Sequence, residues 1–253
     1  MAIYLGHLLT DFPFQTRHQV AQKKQGKLRG YLTHGLIHYF SIIVLLVFFV
    51  PGSARSPRIY FVISLLTVVH LLIDFCKVRS SAAGDGPWAY IADQVVHFFT
   101  VLFAAWWISP VSQPNELSGV VQSARDVHNG ALLVPVVYVL VIFGGGYLIR
   151  FLTRSLAEGA QRDPHKRPGD QLQNAGLYIG WLERFLVVTA ILLQSPATVG
   201  LILTAKSIAR YPEFKSESFA EYFLIGTLLS LSIGILGGIF LTKIMFGHAH
   251  LPG

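Results

Sequence analysis

Four pairs of side chains able to bind metal or move protons recur at a spacing of four in the N-terminal part of the chain: His7/Asp11, His34/His38, His70/Asp74 and Asp93/His97. Gln15 follows Asp11 by four, Lys77 follows Asp74 by three, and Gln94 adjoins Asp93. Residues four apart share one face of a helix, so four successive helices would each turn a two-donor edge towards their neighbours. Five imidazoles and three carboxylates suffice for one or two divalent ions. Nitrogen and oxygen donors of this kind favour zinc and also admit manganese or iron. Bis-histidine haem ligation would leave the three aspartates without a role. The Glu and Glu-x-x-His signature of di-iron carboxylate bundles is missing from these helices, which argues against oxygen chemistry.

Depth supports a shared site. If successive helices run antiparallel, the late positions of the first and third meet the early positions of the second and fourth. Asp11 and Gln15, His34 and His38, His70 and Asp74, and Asp93 and His97 then fall at one level. Ionisable groups inside a membrane span cost several kcal/mol unless paired or hydrated, so agreement in depth points to function. On this reading His7, Asp11, His34, His38, His70, Asp74, Asp93 and His97 are metal ligands. Asp11, Asp74 and Asp93 compete for the role of general base, and Lys77 neutralises developing negative charge or snorkels to the interface.

The second half has its own polar set. Glu183-Arg184 interrupts an apolar helix, Lys206 and Arg210 share a face, and Glu221-Tyr222 precedes Gly226-Thr227. Glu183, Arg184, Lys206 and Glu221 could form an ion-pair network between helices. Alternatively Arg184, Lys206 and Arg210 bind an anionic head group. Gly144-Gly145-Gly146 and Gly237-Gly238 follow no strand, so a nucleotide loop is excluded and close helix packing is expected. Cys76 points off the His70/Asp74 face and is structural. His18, His128 and His165 belong to solvated loops, and His248 and His250 to the tail.

The elements that must position these groups are membrane helices. The 253 residues are 53% hydrophobic and only 13% charged, with a mean hydropathy of +0.53. A water-soluble domain carries about 25% charged residues. Apolar stretches near the length needed to cross a bilayer run over Tyr31–Pro51, Ile59–Lys77, Trp88–Ile108, Ala131–Phe151, Gly176–Leu193 and Ala220–Ile244. They lack the alternation of a membrane barrel. Pro51, Pro87, Pro110 and Pro196 punctuate them, and Trp88, Trp106, Trp107 and Trp181 are expected at interfaces. Residues 1–18 form a short apolar helix broken near Phe12-Pro13-Phe14, without the basic start and clean core of a signal peptide. Residues 196–210 are too short to span and are expected to be re-entrant or interfacial.

Basic residues alternate between connections. Arg17, Lys23, Lys24, Lys27 and Arg29 fill the first; Lys77 and Arg79, then Arg150 to Arg167, then Lys206, Arg210 and Lys215 mark the others. The positive-inside rule places these in the cytoplasm, the N-terminus outside and the His/Asp level near the cytoplasmic face. This placement accounts for the net charge of +7 without nucleic acid, since no stretch interleaves lysines with stacking aromatics.

The pattern Gly6-His7…Asp11…Gln15, Lys24, His34-x-x-x-His38, His70-x-x-x-Asp74-x-x-Lys77 and Asp93-Gln94-x-x-His97 resembles a bacterial multi-pass membrane family, the domain of unknown function 3307. The resemblance covers roughly the first 110 residues. Gly180-Trp181-Leu182-Glu183-Arg184, Ala205-Lys206-Ser207 with Arg210, and Glu221-Tyr222 with Ile225-Gly226-Thr227 resemble the extension of longer members. It implies an integral inner-membrane protein and brings no activity with it. A looser similarity, to membrane-bound metal-dependent hydrolases, transfers no residue roles.

The expected architecture is an all-α polytopic membrane protein. A His/Asp-bearing four-helix bundle over 1–110 is followed by a linking segment and fifth helix over 111–156. A cytoplasmic linker over 157–175 leads to C-terminal membrane helices over 176–253. The expected activity is metal-dependent hydrolysis or phosphoester cleavage of a lipid-linked or amphipathic substrate, with membrane lipid as partner and a homo-oligomer admitted. A metal-ion or proton transporter, and a non-catalytic scaffold or sensor with a structural metal, are the alternatives.

Overall fold

The computed structural model describes residues 1–50, 52–80, 86–108, 127–161, 175–215 and 217–247. Among them every regular element is helical, so the fold is all-α and polytopic. Among the described residues, five helices are long and apolar enough to cross a membrane: Leu28–Phe49, Pro57–Ser80, Pro87–Ile108, Gly130–Leu152 and Glu217–Phe246. Polarity is inverted relative to a water-soluble protein. Phe40, Phe48, Phe61, Leu72, Phe99 and Phe103 lie exposed, while five histidines are buried. Such an arrangement is stable only where the surroundings are apolar. The chain divides into two compact units, Met1–Val139 and Leu140–Gly253.

In the first unit, α1 (Ala2–Asp11) ends at the expected Phe12-Pro13 break. Its close approach to α3 (Leu28–Phe49) depends on Gly6, where a Cβ would stand 2.8 Å from Ile42 Cγ1 and 2.9 Å from its Cα. Between them, where a basic connection is expected, lies a helix, α2 (Arg17–Lys24). Thr16 and Gln19 start it as a reciprocal capping box: Gln19 N–H donates to Thr16 Oγ1 (3.2 Å) and Thr16 N–H donates to Gln19 Oε1 (2.9 Å). Gly26, at φ +68°, ends it in the left-handed conformation. Gly30 then lets α2 fold back on α3, with Gln22 Cβ only 2.7 Å from where its own Cβ would be.

Prolines open α4 (Pro57–Ser80) and α5 (Pro87–Ile108), as expected for the first helical position. The helices α1, α3, α4 and α5 form the anticipated bundle, joined by α6 (Val127–Val139), which packs on α1. Residues 109–126 lie outside the described part.

The second unit begins with a π-helical turn over Leu140–Gly144, followed by α7 (Gly145–Leu152) and α8 (Arg154–Gln161). The expected Ala131–Phe151 segment is thus present within the span Gly130–Leu152, with the π turn inside it. Most of the expected 157–175 linker, with His165, falls outside the described residues, as do His248 and His250. The expected sixth stretch becomes α9 (Ala175–Leu192), whose 18 residues at about 1.5 Å each give about 27 Å. It is not among the five candidate spans. Next, α10 (Ala197–Arg210) returns antiparallel along α9, and none of its residues is buried. At about 21 Å it is too short to cross by itself. Finally α11 (Glu217–Phe246) runs parallel to α9, with Gly234 against Val187 and Gly238 against Ile191.

Candidate metal centre

The helices α1, α3, α4 and α5 bring all eight candidate ligands together. His7, His34, His38, His70 and His97 are each no more than 1% exposed, and Asp74 and Asp93 are buried with them. His34 Nε2 lies 2.9 Å from His70 Nε2. Asp11 Oδ1 is 3.3 Å from both nitrogens, and Asp74 Oδ2 is 3.4 Å from the first and 3.9 Å from the second. A tetrahedral ion with bonds of about 2.0–2.2 Å holds its donors about 3.3–3.6 Å apart. The five separations bracket that value. Asp11 Oδ1 has no hydrogen-bond partner, although it is buried.

A second set of donors stands beside the first. His7 Nε2 is 3.6 Å from Asp11 Oδ2, and His97 Nε2 is 3.9 Å from Asp74 Oδ1. Two overlapping groups, His34/His70/Asp74 and His7/Asp11/His70/His97, each have donor atoms close enough to hold a metal ion. A third, Asp74/Asp93/His97, lies towards the rim.

The hydrogen-bond network assigns the tautomers of three rings. Thr67 Oγ1 donates its one proton to the Ile63 carbonyl (2.9 Å), so it accepts from His38 Nδ1 (3.0 Å). His38 Nε2 is then a lone pair, and His7 Nδ1 donates to it at 3.4 Å. That leaves the His7 Nε2 lone pair facing the cluster. His97 Nδ1 donates to the carbonyl of Asp93 (3.0 Å), so its Nε2 is also a lone pair, buried and without a partner. Such orienting bonds to the far ring nitrogen accompany most metal-ligating histidines. His34 and His70 lack them at Nδ1. The His70 ring stacks on His38 instead, 4.3 Å between centroids and 6° between planes.

Two participants were not anticipated. Lys23 on α2 is 4% exposed and sets its ammonium 2.5 Å from Asp74 Oδ2. Its basic neighbours mark a connection, whereas the Thr16-x-x-Gln19 capping box announces the helix that turns it inward. The family resemblance drew on Lys24, whereas Lys23 is the lysine that enters the site; Lys24 is exposed. Thr67, three residues before His70, occupies the same buried stripe of α4 and was legible by periodicity.

Lys77, 44% exposed, reaches Asp93 Oδ2 at 2.6 Å, where Gln94 also donates at 3.2 Å. The other Asp93 oxygen is buried and has no hydrogen-bond partner. Gln15 lies in the turn beyond α1 and not on its face. Cys76 is exposed, away from the cluster.

In the second unit, Arg184 is 4% exposed and donates through Nε (3.0 Å) and Nη2 (2.8 Å) to the Ile142 carbonyl and through Nη1 to Ser230 (3.3 Å). The π turn leaves carbonyls without regular helical partners, and the guanidinium supplies one. Gly146 makes room: its Cβ would lie 2.6 Å from Arg184 Nη2. Lys206 pairs with Glu183, so the ionic link between α9 and α10 is present, whereas Glu221 is exposed. Arg184 and Lys206 are thus engaged with protein partners, and Arg210 sits half-buried on α10. Trp181, expected at an interface, packs on Phe143 at 4.7 Å.

Fold and site together define a polytopic helical membrane protein with a buried histidine–aspartate cluster in its N-terminal unit. Residues 1–124 match the model of a family described as protein of unknown function, DUF3307, which bears out the resemblance noted above. The matched segment carries the whole cluster. No curated protein and no solved structure matches the chain.

Proposed function

We propose that the N-terminal unit is a membrane-embedded, metal-dependent hydrolase of the phosphoesterase type, acting on a lipid-linked or amphipathic substrate. The observation that carries this reading is the convergence of His34 Nε2, His70 Nε2, Asp11 Oδ1 and Asp74 Oδ2 at separations suited to one ion. Zinc fits the donor set best, with manganese or iron as substitutes. Bound there, the metal would make a coordinated water acidic and polarise a phosphoryl oxygen.

The chain's own groups supply the rest. Asp93, with one oxygen free of hydrogen bonds, takes the proton of the attacking water. Water oxygen bonds to phosphorus, the ester P–O bond breaks, and the leaving alcohol takes back the proton held by Asp93. Lys77 at the half-exposed rim meets the anionic head group. The polar path from Asp74 through His97 and Asp93 to Lys77 runs from the interior to the surface. By the positive-inside argument this rim belongs at the cytoplasmic face of the plasma membrane, with the N-terminus outside.

Detergent-purified protein tests the reading by elemental analysis and by release of phosphate from a lipid phosphate. Wild type is expected to carry stoichiometric metal and activity, both lost in His34→Ala and Asp74→Ala. A metal-free but active wild type would overturn it.

One observation favours a second reading, passage of a metal ion. The imidazoles are almost wholly enclosed and the Lys23 ammonium already neutralises Asp74, as a displaceable cation would. Metal flux into proteoliposomes without hydrolysis would select this alternative.

A further inference from the structure

We infer that the cluster holds two divalent cations bridged by the carboxylates of Asp11 and Asp74. This rests on metal binding at the His34/His70 site and adds a second site to it.

The two carboxylates divide their oxygens between two pairs of imidazoles. Asp11 turns Oδ1 to His34 and His70 and Oδ2 to His7. Asp74 turns Oδ2 to His34 and His70 and Oδ1 to His97. His34 and His70 thus each meet one oxygen of both aspartates, while His7 meets the other oxygen of Asp11 and His97 the other oxygen of Asp74, which offers two N₂O₂ donor sets sharing the same bridges. Carboxylates used in this way hold ions about 3.5–4 Å apart.

The second set also has an electrostatic need for a cation. The Ile63–Thr67–His38–His7 relay fixes a lone pair on His7 Nε2, 3.6 Å from an Asp11 oxygen. The bond from His97 Nδ1 to the Asp93 carbonyl fixes another on His97 Nε2, 3.9 Å from an Asp74 oxygen. Two acceptors facing one another repel, and His97 Nε2 is buried without a hydrogen-bond partner. An ion between them turns all four into ligands. The distances exceed hydrogen-bond length, as donors arranged around an ion do. Lys23 cannot fill this role, because its ammonium is committed to Asp74 Oδ2.

The test is stoichiometry and magnetic coupling in the full-length chain, without substrate. Detergent-purified protein is loaded with Mn²⁺, freed of excess ion and measured by elemental analysis and electron paramagnetic resonance. The expected result is two ions per chain with an exchange-coupled spectrum, falling to one ion with an isolated six-line signal in His97→Ala and in His7→Gln. One ion per chain in wild type, with an uncoupled spectrum, would overturn the inference. The wild-type spectrum decides even if a variant fails to fold. A coupled two-ion protein that hydrolyses nothing keeps this inference and removes the hydrolase. An active one-ion protein does the reverse.

Discussion

Lys23 and Asp74, separated by 51 positions in the chain, meet inside the first unit with Nζ and Oδ2 2.5 Å apart. Tyr31 holds the lysine from the other side: its hydroxyl donates to the Lys23 carbonyl at 3.4 Å, and its ring lies 6.0 Å from the ammonium. The pair places a fixed positive charge directly on a candidate metal ligand.

Replacing Lys23 with methionine should therefore act in opposite directions on two readouts. Without metal, the variant leaves a buried carboxylate without its ammonium partner and should lose about 3–5 kcal/mol of stability. With metal, the competing charge is gone and affinity should rise about tenfold or more, each decade corresponding to about 1.4 kcal/mol. Thermal unfolding with and without chelator, alongside zinc titration, checks both.

Thr67→Val keeps shape and removes the acceptor that holds His38 in its tautomer. The His7 lone pair is then no longer enforced. Loss of such an orienting bond typically lowers metal affinity about 10–100-fold. Competition with a chromophoric chelator should find weaker binding at the His7/His97 set, and unchanged affinity would remove the relay from the account.

Gly6→Ala tests how α1 is seated. The new methyl would press on Ile42 Cγ1 and, less avoidably, on its backbone Cα. Overpacking of this kind costs about 1–3 kcal/mol. Because α1 carries His7 and Asp11, metal content should fall together with thermal stability, whereas Gly226→Ala, inside a helix with open space around its Cβ, should lower neither.

Arg184→Lys should destabilise the second unit while leaving metal content in the first intact. A single ammonium cannot reproduce the paired Nε and Nη2 bonds to Ile142. The expected loss is about 1.5–3 kcal/mol, the range for hydrogen bonds to a charged group. Limited proteolysis of the purified variant should locate the loosening at the π turn.

The pairs at i and i+4 were legible because helical periodicity is a local property. Once four apolar helices are recognised, shared faces and depth follow from spacing alone. The same logic reaches Thr67, which lies on the His70/Asp74 stripe. It fails at residues 12–27, where a short polar helix carries no hydrophobic period and looks like a charged connection. It fails too at Arg184, whose partner is a carbonyl, and backbone groups leave no mark in side-chain type.

Composition and periodicity by themselves determined the helical class, the apolar segments and the eight residues that assemble, since each depends only on side chains a few positions apart. Tertiary structure alone decided which nitrogen of each ring faces the cluster and which oxygen of Asp11 and Asp74 meets which imidazole. It also decided that a lysine from a supposed loop stands among them. Those choices are settled by hydrogen-bond partners and buried charges arriving from other helices, whose distances no spacing along a single helix encodes.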